Sequence, residues 1–166
     1  RALLEAVAPR DDWSRQGFPW LSVRKVHIGH HAVIAMSVSF SGELAWELHV
    51  PNASLVGVYQ TLVKTGEAFG LAHFGLYATE SMRLEKGYRH WKADLITEFN
   101  PVESGLERFL SPDKEFHGKA GMESQVAGGL RRRFVSMQLD ATHAPAHPGD
   151  SIVTDGNVVG TVTSAG

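Results

Sequence analysis

Along the first half of the chain, the spacing of apolar residues alternates between the period of a helix and the period of a strand. A short helix is predicted over residues 1–8, where Leu3, Leu4 and Val7 share one face. Alternating and β-branched runs predict strands over residues 23–28, 32–40 and 44–50. Two helices with apolar residues at helical spacing are predicted next, over residues 52–64 and 75–84.

The last third of the chain is richer in glycine and proline and carries shorter patterns. We predict a short strand within 101–110 and a helix over 114–125, followed by strands in 134–139 and 151–163. Runs of strands followed by helices, without a regular βαβ alternation, indicate the α+β class. We place a domain boundary near Pro112, which gives an α+β domain over 1–112 and a second domain over 113–166.

The composition excludes several classes of protein. The 166 residues include no cysteine, so disulfides, zinc ribbons, iron–sulfur clusters and cysteine nucleophiles are absent. Lysine and arginine number 16 against 18 aspartates and glutamates, and this balance gives no general attraction to nucleic acid or an anionic membrane. No apolar run approaches the roughly 20 residues that span a bilayer. We therefore expect neither nucleic acid nor membrane as a partner.

The histidines and glycines do not form a recognisable cofactor motif. His30 and His31 are adjacent, so on a strand their side chains point to opposite faces, and no HExxH-type spacing occurs. The glycines at 118–121 and 128–129 match neither the P-loop nor the dinucleotide-binding pattern. We expect no metal site and no dinucleotide-binding fold within this chain.

The segment 39–48 carries a carboxylate between two strand-forming apolar residues. On a strand, Trp46 and Leu48 face one side and Glu47 faces the other, either toward water or into a pocket. A buried carboxylate costs several kcal/mol unless it is paired or receives N–H donors, which the amidine-like edge of a pterin could supply. We predict that Glu47 faces a cleft rather than bulk water.

The segment 75–91 places aromatic residues directly after a predicted helix. Gly87 is a plausible helix stop, and Tyr88 and Trp91 follow it. Aromatic side chains at such a position are suited to lining a ligand cleft, and the alternative is that they simply pack.

Several short motifs, taken in order and at their spacing, resemble the folate-binding aminomethyltransferase family. The motifs are Gly42-Glu43 with Glu47, Arg83-Leu84-Glu85-Lys86-Gly87, Pro101-Val102-Glu103-Ser104-Gly105-Leu106, Phe116-His117-Gly118-Lys119-Ala120 and Gly160-Thr161-Val162-Thr163-Ser164. That family includes the T-protein of the glycine cleavage system. The phrase over residues 84–91 is most similar to the dehydrogenase-linked branch, the C-terminal parts of dimethylglycine and sarcosine dehydrogenases.

The resemblance implies a fold, a cofactor and a set of site residues. The fold would be the later part of the folate-binding domain, an antiparallel sheet with helices, followed by the start of a C-terminal β-barrel. Glu47 matches the glutamate that bonds the pterin edge, Phe40 an aromatic beside the pterin, and Tyr88 an aromatic further out; we add Trp91 as a neighbouring cofactor-binding residue. The cofactor would be tetrahydrofolate, with FAD only in an upstream domain.

Two departures from the family pattern limit what the resemblance implies. Thr79 stands where T-proteins commonly have an arginine near the folate tail, and Glu80 beside it would repel a carboxylate. The family's catalytic aspartate lies upstream of Arg1, so we assign no catalytic residue and expect a fragment of a longer polypeptide, inactive when isolated.

The predicted function is therefore part of a tetrahydrofolate-dependent one-carbon transferase, from a dimethylglycine or sarcosine dehydrogenase-like protein. Its partners would be a folate and the missing N-terminal part of the parent chain. Two alternatives stay open: a non-catalytic folate-binding or structural module of the same family, and a related demethylase acting on a sulfur compound. The expected location is the cytoplasm, or the mitochondrial matrix in a eukaryote.

Overall fold

Short helices and two small antiparallel sheets make up the fold, which confirms the predicted α+β class. The computed structural model describes residues 1–140 and 143–166. The helices are α1 (Ala2–Val7), α2 (Leu55–Gly66), α3 (Leu76–Glu85) and α4 (Lys119–Ala127). The strands are β1 (Val23–Ile28), β2 (His31–Met36), β3 (Glu47–His49), β4 (Ser151–Thr154) and β5 (Asn157–Thr161). The chain divides into two compact units, residues 1–82 and 83–166.

The first unit is built on the sheet β1-β2-β3, in which both pairs of neighbours are antiparallel. Val26 of β1 lies opposite Val33 of β2, and both are fully buried. Ala35 of β2 lies opposite Leu48 of β3 and continues this inner face. Because side chains alternate along a strand, the residues between these positions face outward.

The core of the first unit lies between the inner sheet face and the helices. Its fully buried apolar residues are Val7, Ala8, Trp13, Phe18, Val26, Ile28, Val33, Ala35 and Val58. Trp13 stacks on Phe18 with ring centroids 5.3 Å apart and meets Trp46 edge-on at 5.7 Å. The Trp13 indole N–H donates to the Ala8 carbonyl at 3.1 Å, so its one polar group is satisfied.

The second unit contains the end of α3, helix α4 and the hairpin β4–β5. Asp155 and Gly156 join the two strands with φ angles of 50° and 77°, as a type I′ hairpin turn requires. Among the described residues of this unit, the fully buried side chains are polar: Arg83, Asp94 and Ser104. Polar contacts rather than an apolar core therefore occupy its most buried positions.

Several predicted boundaries are wrong. The strand predicted over 32–40 ends at Met36, and β3 keeps only three residues of 44–50. Residues 101–110 form turns and a 3-10 helix, because the Asn100 side chain accepts from the backbone N–H groups of Val102 and Glu103. The helix predicted over 114–125 begins at Lys119, after Gly118 with a φ of 90°.

The strand predicted over 134–139 is also wrong. This segment has no regular secondary structure, although its apolar residues alternate. The Phe134 N–H donates to the Glu103 carbonyl, which lies in a turn and does not continue as a strand. An alternating segment becomes a strand only when a second strand satisfies its backbone groups.

Candidate functional site

Glu47 opens β3 and points to the outer face of the three-stranded sheet. The neighbouring Trp46 and Leu48 pack against the core, so the predicted alternation is correct. The Glu47 side chain is 57% exposed, so the prediction that it faces a cleft away from water is wrong. The same outer face also carries Val23 and Ile34, which are 56% and 48% exposed, so this face of the sheet is open to water.

The surroundings of Glu47 combine apolar side chains with polar ones. In the register of the sheet, Glu47 lies opposite Met36, which in turn lies opposite Val23. His49, two residues along β3, places its Nε2 atom 3.4 Å from a Glu47 carboxylate oxygen. The outer face therefore presents a carboxylate at the end of an apolar row.

Phe40 lies in the irregular segment between β2 and β3. Its side chain is 37% exposed, so an aromatic face is accessible close along the chain to Glu47. The Ser39 and Ser41 hydroxyls are 3.3 Å apart, and Ser41 accepts from the Glu43 N–H, which folds the segment into turns. Phe40 and Glu47 both belong to the first unit.

Tyr88 follows the end of α3 in the second unit. The Gly87 N–H donates to the Leu84 carbonyl at 2.9 Å and the Tyr88 N–H to the Arg83 carbonyl at 2.9 Å. These two bonds, with Gly87 at a φ of 67°, are the Schellman ending of a helix, and they confirm Gly87 as the predicted stop. The motif fixes the backbone direction with which Tyr88 leaves the helix.

Trp91 is 70% exposed and lies beside a groove of about 450 Å³. The groove is lined by Trp91, Lys92, Leu95, Ile96 and Thr97. The Lys92 N–H donates to the Leu95 carbonyl at 3.1 Å, which turns the chain back toward Trp91. The structure thus brings Tyr88 and Trp91 onto one tightly turned segment of the second unit.

Asp94, under this turn, is the centre of the most buried polar cluster in the second unit. It is 1% exposed, and its Oδ2 atom accepts from Arg83 at 2.9 Å and from the His90 N–H at 2.7 Å. Its Oδ1 atom accepts from the hydroxyls of Thr163 at 2.5 Å and Ser164 at 2.7 Å. The carboxylate therefore has a donor for each of its roughly four acceptor positions.

Arg83 completes the cluster and is itself 2% exposed. Its Nη2 atom donates to the Ser164 hydroxyl at 2.7 Å, and its Nη1 atom to the Tyr88 carbonyl at 3.1 Å. Burial acts to raise the pKa of Asp94, but the bonds from His90, Thr163 and Ser164 and the charge of Arg83 outweigh it. The pKa of Asp94 is accordingly held below its ordinary value.

A second polar contact ties the same turn to the segment 100–106. Arg89 donates to the carbonyls of Gly87 at 3.1 Å and Ser104 at 2.9 Å. A Cβ atom at Gly105 would lie 2.6 Å from the Arg89 guanidinium, so the glycine leaves room for this contact. Arg89 also lies over the Phe134 ring, 4.9 Å from its centroid.

A comparison with known protein families matches residues 1–114 to the GCVT N-terminal domain. The chain belongs to this family. The family predicted from the sequence motifs is therefore confirmed. The GCVT match includes the sheet with Glu47, the turn with Tyr88 and Trp91, and the buried Asp94.

Curated relatives extend the similarity beyond the GCVT match. The chain is 40% identical to sarcosine dehydrogenase, mitochondrial, of Homo sapiens, over 99% of this chain and 18% of the relative. It is 34% identical to dimethylglycine dehydrogenase, mitochondrial, of Homo sapiens, over 93% of this chain and 18% of the relative. It is 35% identical to aminomethyltransferase of Halothermothrix orenii, over 80% of this chain and 37% of the relative. The chain spans less than a fifth of the length of the two dehydrogenases.

Two of the five sequence motifs of this GCVT family member meet at Asp94, which sequence reasoning did not foresee. The motif that begins at Arg83 and the motif that ends at Ser164 both contact Asp94, which belongs to neither. The motif containing Ser104 and Gly105 contacts Arg89. A signal was available in the sequence, because both of the motifs that contact Asp94 contain groups that donate to a carboxylate. One contains the Arg83 guanidinium, and the other contains the hydroxyls of Thr163 and Ser164.

The described residues contain no group of three or more side chains arranged to hold a metal ion. None of their helices has the length and apolar character needed to cross a membrane. In the basic run at 131–133, Arg132 forms an ion pair with Glu98 at 3.6 Å and lies over the Phe99 ring.

Proposed function

We propose that this chain is part of a tetrahydrofolate-dependent one-carbon transferase, from a protein similar to sarcosine or dimethylglycine dehydrogenase. The observation that carries the proposal is the 40% identity to sarcosine dehydrogenase over almost the whole chain, together with the GCVT match. The similarity to an aminomethyltransferase supports one-carbon transfer as the chemistry common to these relatives.

The proposal includes a larger parent polypeptide. The chain spans only 18% of each human dehydrogenase, which supports a longer parent. The family resemblance implies that FAD would be held in an upstream domain of that parent. The GCVT match ends at residue 114, which supports a family domain over 1–112. The start of a barrel domain over 113–166 is implied by the family resemblance alone. The mitochondrial names of both dehydrogenases favour the mitochondrial matrix over the cytoplasm.

The first unit supplies residues that suit the pterin ring of tetrahydrofolate. Glu47 offers an accessible carboxylate, and a carboxylate can accept two parallel N–H donors from an amidine-like edge. Met36 and Val23 continue from Glu47 as an apolar row across the sheet, and Phe40 provides an accessible aromatic side chain. An apolar row that ends in a carboxylate fits a flat ring with a polar edge.

Tyr88 and Trp91 of the second unit are the other two residues that the family resemblance implies for folate binding. Tyr88 is 39% exposed and Trp91 70% exposed, so both have accessible ring faces. Aromatic side chains of this kind contribute through stacking and burial of apolar area. In the proposed complex they bind the folate, and no residue of this chain forms a bond to the one-carbon unit.

Tetrahydrofolate, when bound, supplies the amines that accept the one-carbon unit. The task of the protein is to hold those amines near the incoming donor, because correct positioning alone accounts for a large part of such a rate enhancement. In the proposed complex, Glu47 fixes the orientation of the ring edge.

A non-catalytic module of the same family is the second candidate function. The observation that favours it is Thr79, whose hydroxyl donates to the carbonyl of Gly75, just before α3, and carries no charge for a folate tail. Glu80 adds a negative charge at the next position. Folate binding without one-carbon transfer would support this candidate.

Replacing Glu47 with alanine tests the proposed function. In the full-length polypeptide that contains this sequence, Glu47→Ala is expected to weaken tetrahydrofolate binding by about 1–3 kcal/mol, since it removes a charged acceptor. Titration calorimetry measures the affinity, and methylene-tetrahydrofolate formation from the N-methyl amine or formaldehyde measures the transfer.

Glu67→Ala is the matched control, because Glu67 is also exposed but lies in a 3-10 turn away from β3. Its affinity for tetrahydrofolate should equal that of the wild type. Unchanged affinity in Glu47→Ala would remove Glu47 from the site. Wild-type binding without any methylene-tetrahydrofolate formation would favour the non-catalytic module.

A further inference from the structure

The turn that carries Tyr88 and Trp91 is held by two buried side chains close in sequence, and these are bonded to a third that is far away in sequence. The Tyr88 carbonyl accepts from Arg83, and the His90 N–H donates to Asp94. Both of these side chains are bonded in turn to the hydroxyl of Ser164. The exposed aromatic residues thus stand on a backbone whose polar groups are fixed by buried charges.

The hydroxyls of Thr163 and Ser164 complete the coordination of Asp94. Arg83 and the His90 N–H occupy one carboxylate oxygen, and the two hydroxyls occupy the other. A buried polar network in which every member is satisfied is rigid, and the loss of one donor leaves one acceptor position of a charged oxygen unsatisfied. Thr163 and Ser164, which lie 69 and 70 positions after Asp94, therefore control how firmly the turn is held.

We propose that Arg83, Asp94, Thr163 and Ser164 act as positioning residues that fix Tyr88 and Trp91 for ligand binding. This inference rests on the proposed function, because the ligand of Tyr88 and Trp91 is the folate. The four residues are buried or half-buried and act through the backbone of the turn rather than by touching the ligand. The segment that follows β5 is thereby a functional part of the site.

Thr163→Val is the most selective test, because valine keeps the shape of threonine and replaces the hydroxyl with a methyl group that cannot donate a hydrogen bond. In the full-length polypeptide, the dissociation constant for tetrahydrofolate is expected to rise on the order of tenfold. The amide hydrogens of Tyr88 and His90 are expected to exchange on the order of tenfold faster, since the bonds that protect them depend on this network. Thr163→Ser should restore both values.

Thr161→Val is the matched control, since Thr161 is an exposed residue of β5 and the substitution is the same. It should change neither the dissociation constant nor the exchange of the turn. A lower melting temperature in Thr163→Val, with unchanged affinity well below that temperature, would overturn the positioning role and leave a purely stabilising one. Wild-type protein that does not bind tetrahydrofolate would instead overturn the proposed function, and the positioning role with it.

Discussion

Replacing Asp94 with alanine is expected to lower the free energy of unfolding of the second unit by about 3–5 kcal/mol. The substitution removes a carboxylate that accepts at 2.9 Å from the Arg83 guanidinium, and Arg83 is only 2% exposed. It also removes the acceptor for the His90 N–H and for the hydroxyls of Thr163 and Ser164. Removing one partner of a buried ion pair costs about 3–5 kcal/mol, which is more than the net value of the pair.

Urea denaturation followed by amide exchange in each unit would measure this effect. Asp113→Ala is the control, because Asp113 is an exposed aspartate of the same unit. The control should unfold at the wild-type urea concentration. A loss of less than about 1 kcal/mol in Asp94→Ala, which is the value expected of a surface ion pair, would contradict a buried cluster at this place.

The same variant should also alter the response to acid. Because the pKa of Asp94 is held below its ordinary value in the folded state, its stabilisation is complete above that ordinary value. It is lost as the pH falls through the folded-state pKa. The difference in stability between wild type and Asp94→Ala should therefore be constant near neutral pH and shrink below about pH 4.

Replacing Trp13 with alanine is expected to destabilise the first unit by about 3–5 kcal/mol. Trp13 is 1% exposed and contacts both Phe18 and Trp46, so its removal leaves a cavity at the centre of the aromatic cluster. Because Trp46 immediately precedes Glu47, the loss should also loosen β3. Thermal unfolding followed by near-ultraviolet circular dichroism would measure both effects.

Trp20→Ala is the control for this experiment, because Trp20 is 55% exposed. It should change the stability by no more than about 0.5 kcal/mol, as is usual for surface positions. Equal losses in the two variants would contradict the assignment of Trp13 to the core.

The sequence predicted those elements whose information is local. Helix α3 and its end at Gly87 followed from helical spacing and a left-handed glycine, and β1 followed from its apolar run and the turn after it. The prediction that Trp46 and Glu47 face opposite sides of the strand was also correct, because the alternation of side chains along a strand is a local property. What lies over each face is set by the rest of the fold, and this explains why the predicted cleft at Glu47 was wrong.

The Asp94 cluster could not be predicted from local patterns. Its partners include Arg83, eleven positions upstream, and Thr163, sixty-nine positions downstream, and no periodicity relates them. The strand predicted over 134–139 failed for a related reason, since alternation supplies a face but no partner strand. Phe40, Glu47, Tyr88 and Trp91 remain predicted ligand contacts, and their exposure is compatible with that role.

Hydrogen exchange of the full-length polypeptide, with and without tetrahydrofolate, tests the central claim most directly. Bound tetrahydrofolate is expected to slow amide exchange in the segments 40–47 and 88–91, while α4 over Lys119–Ala127 stays unchanged. Protection in both segments would place the ligand on the residues that the family resemblance and the structure indicate. Binding that protects neither segment, or no binding at all, would contradict the account.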